Sequence, residues 1–295
     1  MDFLNKFDKQ QVQKITLIVI AALTILALVL LLVIVIASVN PANPFGIADG
    51  FSNVVDYTVT EKDLKTGSLV VADEDHSYNV AEEWLDLVEG CQAYRNEQLT
   101  AAGIDSSNKE NLPYIPYKGM RLSTSAMAAA HNMLTDAKTA TGEKAVTIDA
   151  TFGYIVHGDN KNQEFNTGLL LYLSDFDSTS DNRVALSKAY SKWFDENAAN
   201  YGFIESFEDG YRYVGVAHAK SISGSKDIGS VADYVKYLKE NTGVNKTIEI
   251  EVDGATYKIS YAACTAGDTI KVPADKDYTI SGTNEGGVIV TVKTK

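Results

Sequence analysis

Residues Ile15 to Ala37, ITLIVIAALTILALVLLLVIVIA, form a run of 23 residues without one charge. No other stretch limits the architecture of this chain so tightly. At 1.5 Å rise per residue, a helix over the run reaches roughly 35 Å, enough for a bilayer core of about 30 Å. The competing reading is a cleaved signal peptide, whose apolar core spans only about 7–15 residues and ends in small residues suited to cleavage. This run is longer, and Val35, Ile36, Ala37 and Ser38 are a poor cleavage context. An uncleaved signal anchor is expected. Lys6, Lys9 and Lys14 precede the run, whereas the next basic residue after it is Lys62. That asymmetry predicts a cytoplasmic tail over 1–14, a transmembrane helix over 15–37, and an extracytoplasmic remainder. The expected localisation is the cell membrane, single-pass.

The chain has 295 residues, room for one medium domain plus extras, and a net charge of −13. Such acidity argues against nucleic acid, whose phosphates need compensating Lys and Arg. It also disfavours tight binding to anionic headgroups. Two cysteines, Cys91 and Cys264, form no disulfide framework. Outside the membrane they are a candidate pair, with free buried thiols as the competing reading.

Residues 38–55, rich in Pro, Gly and Asn early on, read as a tether. Strands are expected at Tyr57–Thr60 and Gly67–Ala72, and helices at Val80–Gln98 and Arg121–Thr139. Val146–Ile148, the apolar run Thr167–Leu173 and Tyr211–Val216 read as strands. Helices are expected at Val184–Asn197 and Ile228–Asn241. From Thr247 the pattern alternates strictly and is broken by turns such as Asp253-Gly254 and Gly286-Gly287. Residues 245–295 are therefore predicted to be a small all-β module, near the size limit for independent stability and expected to pack on the main domain.

The segment from Asn197 to Ala219, NAANYGFIESFEDGYRYVGVAHA, carries more information about descent. It resembles the end of the catalytic domain in the VanY-like D-alanyl-D-alanine carboxypeptidases, the M15 zinc peptidases. There the segment reads roughly YGFI, about a dozen residues, then EPWHFRYVG and HA. The likeness extends over 56–242. GSLVVADEDHSY from Gly67 resembles the family's opening motif, Met120 to Lys138 its long helix, and Thr167-Gly168-Leu169 the centre of SEHxTGLAxD. The resemblance implies an α+β, hedgehog-type fold, a small antiparallel sheet packed by helices, with the transmembrane helix before it and the β module after it.

The same resemblance implies a zinc site built from a His and an Asp of HxxGxAxD plus a later His, with a Glu as general base. Aligned on Thr167, Phe165 stands at the first ligand position and Tyr172 at the second. Ile204 and Arg212 are only seven residues apart, so the Glu-Pro-Trp-His segment is missing; Glu208, Asp209 and Gly210 remain. The substrate-clamping YR falls on Phe152-Gly153 or Tyr154-Ile155, neither of which supplies an Arg. Phe cannot ligate zinc, and neutral Tyr is a rare ligand. The expectation is a pseudo-peptidase with no cofactor, which binds or scaffolds at the cell envelope and whose partner is peptidoglycan stem peptide or an envelope protein. Tyr154, Phe165, Tyr172, Tyr211, Arg212, Tyr213 and His218 are its candidate cleft-lining residues. The alternative is an active zinc D-alanyl-D-alanine carboxypeptidase with a rearranged site using His157, His218 and one of Glu164, Asp175 or Glu208. A purely structural assembly protein is a third reading.

Other chemistries lack their motifs. The acidic run Asp175 to Asp181 fails the EF-hand template, with Ser180 at the Gly position and Leu186 at the Glu position. There is no GxSxG, no catalytic Cys context and no phosphate-binding Gly loop.

Overall fold

Local capping and turn chemistry set the element boundaries. The computed structural model describes residues 45–46, 51–89, 91–116, 120–143, 146–148, 163–177, 182–243 and 246–295. Strands β1 (Phe45–Gly46) and β2 (Val54–Thr58) come first, within and just beyond the expected tether. Helix α1 (Glu61–Lys65) follows a capping box in which Thr60 and Asp63 satisfy each other's amides. A 3-10 turn over Glu82–Trp84 leads to β3 (Leu87–Glu89) and α2 (Cys91–Ala101). Strands β4 (Tyr114–Pro116) and β5 (Arg121–Ser123) precede α3 (Thr124–Thr141). The Ser123 hydroxyl caps α3 at the Ala126 amide. Then come β6 (Val146–Ile148), β7 (Leu170–Asp177), β8 (Asn182–Val184) and α4 (Lys188–Asn197). The hairpin β9 (Phe203–Phe207) and β10 (Gly210–Tyr213) is followed by α5 (Val216–Ser223) and α6 (Val231–Asn241). Five strands finish the chain: β11 (Ile248–Val252), β12 (Ala255–Ala262), β13 (Thr269–Pro273), β14 (Tyr278–Gly282) and β15 (Val288–Lys293).

The central sheet runs β4-β6-β7-β10-β9, with β8 paired to β7; β4 and β6 are parallel and the other pairs antiparallel. One stripe of α3, Ala126, Met127, Ala130, Met133, Leu134 and Ala137, is fully buried. The spacing is that of a single helix face. It joins one core cluster with Leu171 and Leu173 of β7 and Tyr190 and Phe194 of α4. A second core brings α5 and α6 together with Leu69, Val71, Ile259 and Ile289. The third fills the C-terminal sheets around Val272, Val288, Val290 and Val292.

The start and end of residues 44–295, one compact unit, are interleaved. Strand β2 pairs antiparallel with β13, on whose other edge lies β1, and the remaining C-terminal strands form the sheet β11-β12-β15-β14. Residues 54–58 are thus part of the C-terminal β layer.

Two expectations are corrected. Gly67–Ala72 is not a ladder strand, although Leu69, Val70, Val71 and Ala72 are buried. Its amides turn instead to the C-terminal sheet: Leu69 N donates to Ser281 Oγ at 2.9 Å and Val71 N to Thr283 O at 3.0 Å. Val80–Gln98 is not one helix, because β3 pairs with β5 in its middle. The span expected at 15–37 lies outside the described residues. Among the described residues no helix is long and apolar enough to cross a membrane.

Candidate functional site

Phe165 closes a 3-10 turn (Gln163–Asn166), and Thr167 and Gly168 then turn the chain into β7. Gly168 has φ 69°, and a Cβ there would lie 2.5 Å from Leu87 Cδ2. Conformation and close approach both call for glycine. The register then sets Tyr172 opposite Gly210 of β10, and Gly210 is itself opposite Phe207 of β9. A Cβ on Gly210 would meet the Phe207 ring at 2.5 Å, so that ring lies over a backbone with no side chain. The two residues between β9 and β10 are Glu208 and Asp209, with Asp209 at φ 60°. Asp adopts this left-handed conformation more readily than most residues, and the Asp209 Oδ2 accepts from Leu186 N at 3.4 Å. The hairpin therefore closes with no room for an insert.

Phe207 consequently gathers the two positions at which ligands were expected. Phe165 meets it edge-on at 6.1 Å and Tyr172 stacks on it at 5.9 Å. Aromatic pairs in these geometries contribute roughly 0.5–1.5 kcal/mol each beyond area burial. Phe165 has no donor atom, and the one donor of Tyr172 belongs to a ring committed to stacking. These residues do not fit a zinc ion. Phe207 was not among the residues singled out from the sequence. Its signal was the shortened hairpin, which brings the residue before the turn beside Tyr172.

The other expected cleft residues separate. Tyr211 is buried against Phe194, with ring centroids 5.2 Å apart. Burial pushes its phenol pKa upward. Arg212 is fully buried and donates to Thr167 Oγ1 at 2.8 Å, Ser68 O at 3.3 Å and Val70 O at 3.1 Å. Burial pulls its pKa down, opposed by the Glu164 charge. Arg212 ties the Thr167 turn to the extended segment and does not face a cleft. Tyr154 and His157 lie outside the described residues.

His218 is also buried, with Nδ1 3.1 Å from the Tyr234 hydroxyl and Nε2 3.0 Å from Thr291 Oγ1. Burial lowers its pKa to about 4, so it is neutral at pH 7. Both nitrogens are committed in the second core, whereas Glu164 accepts from Ser206 Oγ at 2.5 Å. Among the described residues, no three His, Cys, Asp or Glu side chains gather where a metal could be held. Cys264 is a free thiol inside the third core, so it forms no bridge to Cys91, whose side chain lies outside the described residues.

Of the expected cleft residues, Tyr213 and His218 line a cavity of about 580 Å³. It lies between the central domain and the C-terminal sheet, bounded also by Trp84, Asp86, Tyr257 and Ile280. No local pattern announces it. Trp84 falls within the helix expected at Val80–Gln98, and the facing wall comes from residues nearly 200 positions later.

These elements define a VanY/M15-like fold. A solved vancomycin-resistance D,D-dipeptidase, VanXYg, in complex with a D-Ala-D-Ala phosphinate analog, superposes with a TM-score of 0.57. The match covers 81% of this chain and 99% of that one, at 16% sequence identity, which speaks for the fold alone. A D-alanyl-D-alanine carboxypeptidase from Enterococcus faecium is 38% identical over 114 residues. That match takes in 34% of this chain and 36% of the relative, so only about a third of the relative's length is spanned. No protein-family model matches. The chain thus has a VanY/M15-like fold and, over about a third of its length, a sequence similar to that of a D-alanyl-D-alanine carboxypeptidase.

Proposed function

We propose that this chain is a non-catalytic VanY-like domain, held at the cell membrane by residues 15–37, that binds peptidoglycan stem peptide or an envelope protein without cleaving it. The observation that carries this reading is the packing of Phe165 and Tyr172 around Phe207. Metal-assisted hydrolysis needs side chains with lone pairs and a carboxylate positioned for proton transfer. Here the two aligned ligand positions present rings to a third ring, and the two-residue turn after Phe207 leaves no place for the base.

A rearranged site is not favoured. His218 is spent on Tyr234 and Thr291, and its neutrality comes from burial. The test is elemental analysis of purified protein together with assay of D-alanine release from a pentapeptide ending in D-Ala-D-Ala. The expected result is far less than one zinc per chain and no release. One tightly held zinc per chain with D-alanine release would overturn the proposal.

A further inference from the structure

We infer that the cavity between the central domain and the C-terminal sheet is a binding site for a short, uncharged oligosaccharide. It is distinct from the Phe165–Tyr172–Phe207 cluster, none of whose residues line it, and its occupancy does not depend on whether that cluster is inert. At about 580 Å³ its volume lies within the roughly 300–1,000 Å³ of small-ligand pockets, which favour seams between layers.

The walls set the class of ligand. Trp84 and Tyr213 come from the central domain and Tyr257 from β12, so flat aromatic faces arrive from both sides of the seam. All three are half-buried. Among the described residues no hydrogen bond reaches the Trp84 indole nitrogen or the hydroxyls of Tyr213 and Tyr257. These are polar handles on apolar rings, open to an incoming donor or acceptor.

Between the rings lie small hydroxyls. Some are already used: Thr167 holds Arg212, and Ser281 accepts from Leu69. Ser125 and Thr279 are exposed at the rim. Charge is balanced at one carboxylate, Asp86, and one ammonium, Lys62. That balance, in a chain of net charge −13, selects against a polyanion. It also gives no cationic cluster for a phosphate or a peptide carboxylate.

Aromatic faces, hydroxyls and a lone carboxylate acceptor together complement a pyranose. Its C–H faces lie on rings, and its vicinal hydroxyls bond to Asp86, Ser125 and Thr279.

Trp84 and Trp193 are the two tryptophans of the chain, so Trp193→Phe leaves Trp84 as sole reporter. Full-chain protein in detergent would be titrated with N-acetylglucosamine trimer and with cellotriose. A D-Ala-D-Ala pentapeptide and inorganic phosphate serve as the competing probes. A saturable change in Trp84 emission with at least one sugar is expected. Binding, followed by calorimetry, should weaken about tenfold or more in Trp84→Ala. Because Trp84→Ala removes buried contacts, Ser125→Arg at the exposed rim is the second variant. It should block binding while leaving the melting temperature within about 2 °C of wild type. Absence of saturable binding by either sugar at millimolar concentration would overturn the inference. So would sugar binding that survives both variants, or a response to the pentapeptide or phosphate alone.

Discussion

His218 makes the interior of this protein sensitive to acid, by an amount that follows from its surroundings. The imidazole is 5% exposed and lies between the Tyr234 and Thr291 hydroxyls, with no carboxylate bonded to it. Burial alone holds its pKa at about 4, against an ordinary 6.5. The folded value lies below the unfolded one, so the unfolded chain takes up the proton first as pH falls. The contribution is intact above about pH 6.5 and is lost progressively below it. Linkage gives a loss of about 2 kcal/mol between pH 7 and pH 5, and about 3 kcal/mol once both states are protonated. His76 behaves oppositely: its bond to Asp73 raises its pKa, and its contribution is present below the unfolded value and lost as pH rises through the folded one. The assay must therefore compare wild type with His218→Gln, which leaves His76 in both proteins. Urea unfolding at pH 7 and pH 5 should show wild type losing about 2 kcal/mol more than the variant over that interval. Equal pH dependence in the two proteins, within about 0.5 kcal/mol, would refute the assignment of that loss to His218.

Arg212→Met should destabilise by roughly 2–5 kcal/mol in urea unfolding, because it strips the carbonyls of Ser68 and Val70 of their donor. Arg212→Lys should rescue little of that, since a single ammonium cannot span three acceptors as a guanidinium fork does. The Cys264 thiol, raised to about 11 by burial and then by the Asp268 charge, should resist a disulfide reagent at pH 8 in a Cys91→Ser background. It should become titratable only on unfolding, and rapid native-state labelling would contradict its placement in the core.

Legibility in the sequence tracked the range of the interactions involved. The helices α3, α4 and α6 and the strands from Ile248 onward were readable, because caps such as Ser123 and Ser230 and a period-2 pattern act within a few residues. Leu69 to Ala72 has strand composition, yet its partners are Ser281 and Thr283, and no local pattern announces pairing across that distance. At the candidate site, alignment on Thr167 found Phe165 and Tyr172. Phe207 became visible only when register set it over Gly210 beside Tyr172. Arg212 read as a cleft residue because charged side chains are rarely fully buried, and here burial is tolerated because three acceptors receive it.

The threading of the early segment through the late sheet has a consequence for how the chain reaches its native state. Leu69 N and Ser281 Oγ are separated by 212 positions, and Asn284 Nδ2 returns to the carbonyls of Val71 and Ser77. At roughly 5–20 residues per second, synthesis of the intervening chain takes about 10–40 s. Throughout that time Leu69 and Val71 have no C-terminal sheet to bury them. The nascent chain must keep this apolar stretch from other partners until β14 and the turn after it emerge. Contacts of such sequence separation also slow closure once the chain is complete.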